Sequence, residues 1–89
     1  MKEYHVEFSK KAAHDLKKLD RATAAMITGW IRKNLEGCED PRIHGKGLTA
    51  NRSGEWRYRI GDYRLICEII DDRVVILMLA IGHRSEVYR

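Results

Sequence analysis

From Tyr4 to Phe8 apolar and polar residues alternate, the period of a short strand. Ser9 follows where a helix N-cap belongs, and Ala12, Ala13, Leu16 and Leu19 fall on one stripe of a helix over residues 10–19. Asp20 is placed to cap a second helix, in which Ile27, Trp30, Ile31 and Leu35 recur at helical spacing. Gly37 fits its C-terminal stop, and Pro41 comes shortly after. The two helices make a hairpin with polar outer faces, where Lys10, Lys11, Lys17 and Lys18 read as solvated and partly paired with Asp15 and Asp20. Residues 42–54, RIHGKGLTANRSG, carry glycines without sustained periodicity, which predicts a loop. Strands are expected next at residues 56–60, 63–70 and 73–81, joined by Gly61-Asp62 and, more weakly, Asp71-Asp72. The last two strands are apolar at nearly every position, as in a sheet centre covered on both faces. The order β-α-α-β-β-β predicts one α+β domain over residues 1–89, an N-terminal strand and helical hairpin followed by a three-stranded antiparallel meander.

The meander brings charge together. A two-residue loop at Gly61-Asp62 pairs Ile60 with Tyr63, Arg59 with Arg64 and Arg57 with Ile66. Side chains alternate with period two, so Arg57, Arg59 and Arg64 emerge on one face. Trp56, Tyr58, Ile60, Tyr63, Leu65 and Cys67 emerge on the other, as core. Like charges directly opposite are destabilising by up to about 1 kcal/mol. Either the arginines face water and cover apolar neighbours with their stems, or the cluster is an anion site.

The excess charge is concentrated in one middle segment. The chain carries +4 overall, and residues 42–64 set Arg42, Lys46, Arg52, Arg57, Arg59 and Arg64 against Glu55 and Asp62 while the flanking segments nearly balance. A local basic patch points to a polyanionic partner. Hydrophobic content of 44% and charged content of 34% fit an ordinary globular domain rather than a disordered chain. The apolar run around Val74–Ile81 is too short to cross a bilayer, and MKEYHVEF has no signal-peptide core, so a cytoplasmic protein is expected. Cys38 and Cys67 make no CxxC pair and read as reduced thiols. His5, His14, His44 and His83 are isolated from other ligand types at metal-binding spacing, and there is no glycine-rich nucleotide loop; no cofactor is expected.

The tail IGHRSEVYR adds proton chemistry. Gly82 permits a bend, and His83, Arg84 and Tyr88 follow closely. An imidazole exchanges protons near neutral pH, a guanidinium stabilises phosphate charge, and a phenol serves as an acid or base or stacks on a base. Continuous pairing through an Asp71-Asp72 turn puts His83 on the arginine face by parity; Arg84 reaches that face only through a bulge.

GEWRYRIGDYRLI followed by IGHRSEVYR resembles the RelE/ParE toxin superfamily, in its RelE-like branch, and the resemblance spans the whole chain. It implies the toxin of a type II toxin–antitoxin system, an mRNA interferase that cuts translated mRNA in the ribosomal A site without a metal, by attack of the 2′-hydroxyl on the adjacent phosphate. Carried over residue by residue, the family's basic strand positions fall on Arg57 and Arg59, its YRL arginine on Arg64, its C-terminal arginine on Arg84 and its near-terminal tyrosine on Tyr88. Two departures stand out. The strand positions are lysines in the best-known member, and a guanidinium is a poorer proton carrier than an amine; His83 also replaces a basic residue that is not histidine there. The implied roles give Arg64 and Arg84 the pentavalent phosphate, Arg57 and Arg59 the backbone, and Tyr88 or His83 the 2′-hydroxyl proton. Lys46 and Arg52 would touch ribosomal RNA. The implied partner is an acidic antitoxin that also mediates any operator contact. A ParE-like toxin acting on DNA gyrase shares the fold, and a non-catalytic RNA-binding module is a third reading.

Overall fold

The computed structural model describes residues 2–47 and 55–83. Along the chain run β1 (His5–Phe8), α1 (Lys10–Lys17), α2 (Arg21–Asn34), β2 (Lys46–Gly47), β3 (Glu55–Ile60), β4 (Tyr63–Ile70) and β5 (Val75–His83). The strands form one sheet in the order β1-β5-β4-β3-β2. β1 lies parallel to β5, and the other neighbours are antiparallel. The expected α+β order therefore stands, with β2 as an addition.

Both helices begin at the expected caps. Ser9 accepts from the Ala12 N–H at 3.0 Å and Asp20 from the Thr23 N–H at 3.1 Å, each satisfying an amide that the first helical turn leaves over. After α2 the chain turns through Gly37, whose φ of +80° suits a residue without a Cβ. Gly37 and Cys38 then bond both backbone groups of Tyr4, so the helix exit braces the entry to β1. Ala12 of α1 and Ile27, Ile31 and Leu35 of α2 join Tyr58, Leu65, Cys67, Ile76 and Met78 in one core, on a single face of the sheet.

The β3–β4 hairpin has the predicted register: Ile60 pairs Tyr63, Arg59 pairs Arg64 and Arg57 pairs Ile66. Three expectations need correction. First, residues 42–54 are not all loop, because Lys46 and Gly47 pair with Arg57 and Trp56 as an edge strand. Second, the turn after β4 is four residues long, not two. Ile70 pairs Val75, while Asp71 is drawn aside by a bidentate pair with Arg42 and a bond from the Tyr4 hydroxyl at 2.6 Å. Third, β5 carries a bulge. Ala80 pairs Ile66 but Met78 pairs Cys67, leaving Leu79 as the extra residue.

The bulge is held from α1. Ser9 donates its N–H to the Met78 carbonyl and its hydroxyl to the Leu79 carbonyl, at 2.9 and 3.2 Å. Beyond the end of β1, the Asp15 carboxylate accepts the Ile81 N–H at 3.0 Å. The first helix thus stands in for a missing strand along the last residues of β5.

Candidate functional site

The bulge decides which side chains share a face. An extra residue reverses the alternation of everything that follows it. Gly82 consequently lies across from Arg64, and His83 lies across from Tyr63. His83 is therefore not on the arginine face, contrary to the parity expected of an unbroken strand. Its ring packs edge-on against Tyr63 at 5.7 Å, beside a cavity lined by Asp15, Lys18 and Leu19 of the first helix and the turn that follows it.

On the opposite face the arginines do converge. Arg57, Arg59 and Arg64 line a cavity of about 480 Å³ at the β2–β3 edge of the sheet, together with Lys46, Gly45, His44 and Trp30. Each cation is positioned by a different piece of local structure. Arg57 and Arg59 are successive same-face positions of β3, and Arg64 is brought beside Arg59 by the tight Gly61-Asp62 turn. Gly61 has φ +59°, as a turn of this kind requires. Arg59 is exposed and its Nε donates to the Gly61 carbonyl at 3.3 Å. Arg64 is 9% exposed, an unusual degree of burial for a charged side chain.

Lys46 is brought to Arg57 by β2, and β2 exists because the preceding loop is clamped. The Trp56 indole donates to the His44 carbonyl at 2.6 Å, and the buried Tyr58 hydroxyl donates to the Pro41 carbonyl at 2.6 Å. The Arg42 guanidinium lies 6.0 Å from the centre of the Trp56 ring while it grips Asp71. That grip, seconded by the Tyr4 hydroxyl, holds the Asp71 carboxyl below the usual carboxylate range. Gly45 completes the approach. Its φ is +79°, and a Cβ there would run into the Arg57 carbonyl.

Among the described residues lining this cavity there is no Asp or Glu, and Lys46, Arg57, Arg59 and Arg64 give its wall a positive potential. Such a site suits phosphate oxygens, which guanidinium groups bind bidentately, and it stabilises negative charge that builds up on phosphorus during displacement. Of the residues expected to act here, Lys46, Arg57, Arg59 and Arg64 are brought together and His83 is not. Arg52, Arg84 and Tyr88 lie outside the described residues. Trp30 and His44 line the cavity without having been anticipated. Trp30 has helical spacing that reads as core, and His44 sits in a stretch without periodicity.

A five-stranded sheet backed by a helical hairpin thus carries a cationic cavity on its meander, the α+β frame that the sequence resemblance implies. Residues 6–88 match the sequence profile of the ParE toxin of type II toxin–antitoxin systems, and the chain belongs to that family. It is 31% identical over 86 residues to Toxin RelG of Mycobacterium tuberculosis, covering 97% of each chain. It is 30% identical over 88 residues to the mRNA interferase toxin RelE of Escherichia coli, covering 96% of this chain and 90% of that one. Among solved structures, the RelBE2 toxin–antitoxin complex of M. tuberculosis contains a chain matching with TM-score 0.82 and 30% identity over 97% of both chains. The isolated E. coli RelE toxin matches with TM-score 0.75 and 27% identity, over 96% of this chain and 90% of that one.

Proposed function

We propose that this toxin is an endoribonuclease that cuts messenger RNA in the ribosomal A site. The observation that carries the reading is the convergence of Lys46, Arg57, Arg59 and Arg64 around one cavity, with no carboxylate among its described lining residues. The name of the E. coli relative, an mRNA interferase, points the same way.

In this reading the 2′-oxygen of one nucleotide forms a bond to the adjacent phosphorus, and the bond from phosphorus to the 5′-oxygen of the next nucleotide breaks. The 2′-oxygen gives up its proton and the departing 5′-oxygen gains one, leaving a cyclic phosphate and a free 5′-hydroxyl. Arg64, the most buried of these cations, stabilises the pentavalent phosphate; Arg57 and Arg59 hold the flanking backbone. With His83 on the other face, the resemblance leaves Tyr88 to take the 2′-hydroxyl proton and Arg84 to assist the leaving oxygen. Lys46 extends the cationic wall of the cavity towards ribosomal RNA, which Arg52 also meets.

Its partner is a cognate antitoxin with acidic side chains over the cation cluster, a reading supported by the related chain solved in the RelBE2 toxin–antitoxin complex. Operator DNA is touched only through that partner. A second reading, poisoning of DNA gyrase, is favoured by the ParE name of the matching profile.

Controlled expression separates the two. Wild type beside Arg64→Ala and Tyr88→Phe is scored for growth and for cuts in a translated message by primer extension. Cuts within codons, reduced about 10²- to 10³-fold by Arg64→Ala, are expected for loss of one charge-stabilising donor. Intact messages together with stabilised gyrase–DNA breaks would establish the second reading instead.

A further inference from the structure

We infer that Trp30 and His44 form a nucleobase subsite in the arginine cavity, so that the group bound there is a base-bearing nucleotide of an RNA chain and not phosphate alone. The inference rests on the RNA-cleaving reading above and adds to it which residues hold the base.

The cavity is larger than phosphate requires. At about 480 Å³ it falls among sites that enclose a small organic ligand, and its two kinds of wall match the two parts of a nucleotide. Lys46, Arg57, Arg59 and Arg64 supply cations for the backbone, and Trp30 and His44 supply rings for the base. Trp30 serves core and cavity at once, because it packs against the core cluster and also lines the cavity. Trp30 is only partly buried, although the neighbouring Ile31 and Ile27 on the same helix are buried. Its indole is fixed from two directions, by Tyr58 at 5.6 Å in a tilted contact and by His44 at 5.7 Å edge-on. His44 is exposed, yet its backbone is fixed by the Trp56 indole and by the close approach of Gly45 to β3. A pair of rings held in place beside guanidinium groups is a preformed platform, which binds with less loss of side-chain freedom.

Charge on the rest of this face supplies a direction. Glu55 pairs Glu68, Glu68 pairs Leu77 and Leu77 pairs Glu7, so three carboxylates cross the sheet in one row. That row lies two residues along β3 from Arg57, roughly 7 Å, inside the Debye length of about 8 Å at physiological salt. A polyanion engaged by the arginines is repelled from that side. On the side lined by Lys46, His44 and Trp30, no carboxylate is among the described lining residues.

The test uses the full-length protein and three probes: an uncleavable 2′-O-methyl trinucleotide, the same molecule lacking its central base, and inorganic phosphate. Resonances of the Trp30 indole N–H, the His44 ring and the arginine Nε groups are followed by NMR. The trinucleotide is expected to move all of them, whereas the abasic molecule and phosphate move the arginines alone. Trp30→Leu should weaken the trinucleotide about tenfold, the weight of one base–ring contact, and leave the abasic molecule unchanged. Should that variant not fold, the wild-type titration decides alone. Trp30 and His44 signals that stay still, that respond equally to the abasic molecule, or a variant equally weakened for both, would overturn the inference. Normal base-dependent shifts in a protein that cuts no message would sink the nuclease reading and leave the subsite standing. Message cleavage with silent rings would do the reverse.

Discussion

Asp15 is the joint between α1 and the end of β5, and its removal tests whether the helix holds the strand that ends beside Arg64. Its side chain is 12% exposed, accepts the Ile81 N–H at 3.0 Å and receives Lys11 Nζ at 2.8 Å. Burial pushes this carboxyl up, but the bonds from Lys11 and from the Ile81 amide outweigh it and hold it below the ordinary range. Asp15→Ala strands a partly buried amide, at about 1–3 kcal/mol, and loses a surface pair worth about 0.3–0.5 kcal/mol. For a domain of this size each kcal/mol lowers the melting temperature by roughly 4–8 °C, so a fall of about 5–28 °C is expected. Asp15→Asn keeps an acceptor and should lose less, and Lys11→Met should lose only the surface pair. Because the folded carboxyl titrates below its unfolded value, its contribution is present above about pH 4 and disappears as pH falls through the folded pKa. The gap between wild type and Asp15→Asn, followed by thermal circular dichroism, should therefore narrow towards pH 3. If Asp15→Ala melts with Lys11→Met, or the Asn gap is unchanged at low pH, the bond to Ile81 is not what anchors the strand.

Two further outcomes follow from the clamp around β2. Gly45→Ala combines a φ of +79° with a clash against the Arg57 carbonyl, so β2 should detach, with a loss of at least about 1–2 kcal/mol in denaturant unfolding and weakened RNA binding through Lys46. Arg42→Ala removes a pair that is 39% and 55% exposed, so stability should change by no more than about 1 kcal/mol. The Asp71 carboxyl should nevertheless move back up towards its ordinary value in an NMR titration, because the Arg42 bond is the main cause of its depression.

What the sequence made legible was local. Ser9 and Asp20 announce their helices because each has a side-chain oxygen placed for a first-turn amide. Gly61-Asp62 dictates the β3–β4 register, since a two-residue loop leaves no freedom in the pairing, and the arginine cluster follows from that register. What escaped was long-range. The stretch VVILMLAI is apolar at both parities, so no pattern in it marks Leu79 as the extra residue. Ser9 and Asp15 hold the bulge from the other end of the chain, and the face that His83 takes depends on it. β2 is two residues without periodicity, stabilised by Trp56 and Arg42 rather than by its own composition. Trp30 sits beside Ile31, at the margin of the apolar stripe, where spacing alone does not separate a core ring from a cavity wall.

In the proposed reading, the cation cluster sets substrate and antitoxin in competition for one surface. Arg59 faces Arg64 and Lys46 faces Arg57, two like-charged pairs across neighbouring strands. Each is destabilising by up to about 1 kcal/mol, in a fold whose total margin is of the order of 5–15 kcal/mol. Any anion that fits between them relieves that repulsion and stabilises the fold through its own binding. In the proposed reading an RNA phosphate and an antitoxin carboxylate offer the same relief to the same guanidinium groups, so both cannot occupy them at once. Inhibition then requires no change of shape in the toxin, only an anionic segment held near the cavity at high effective concentration.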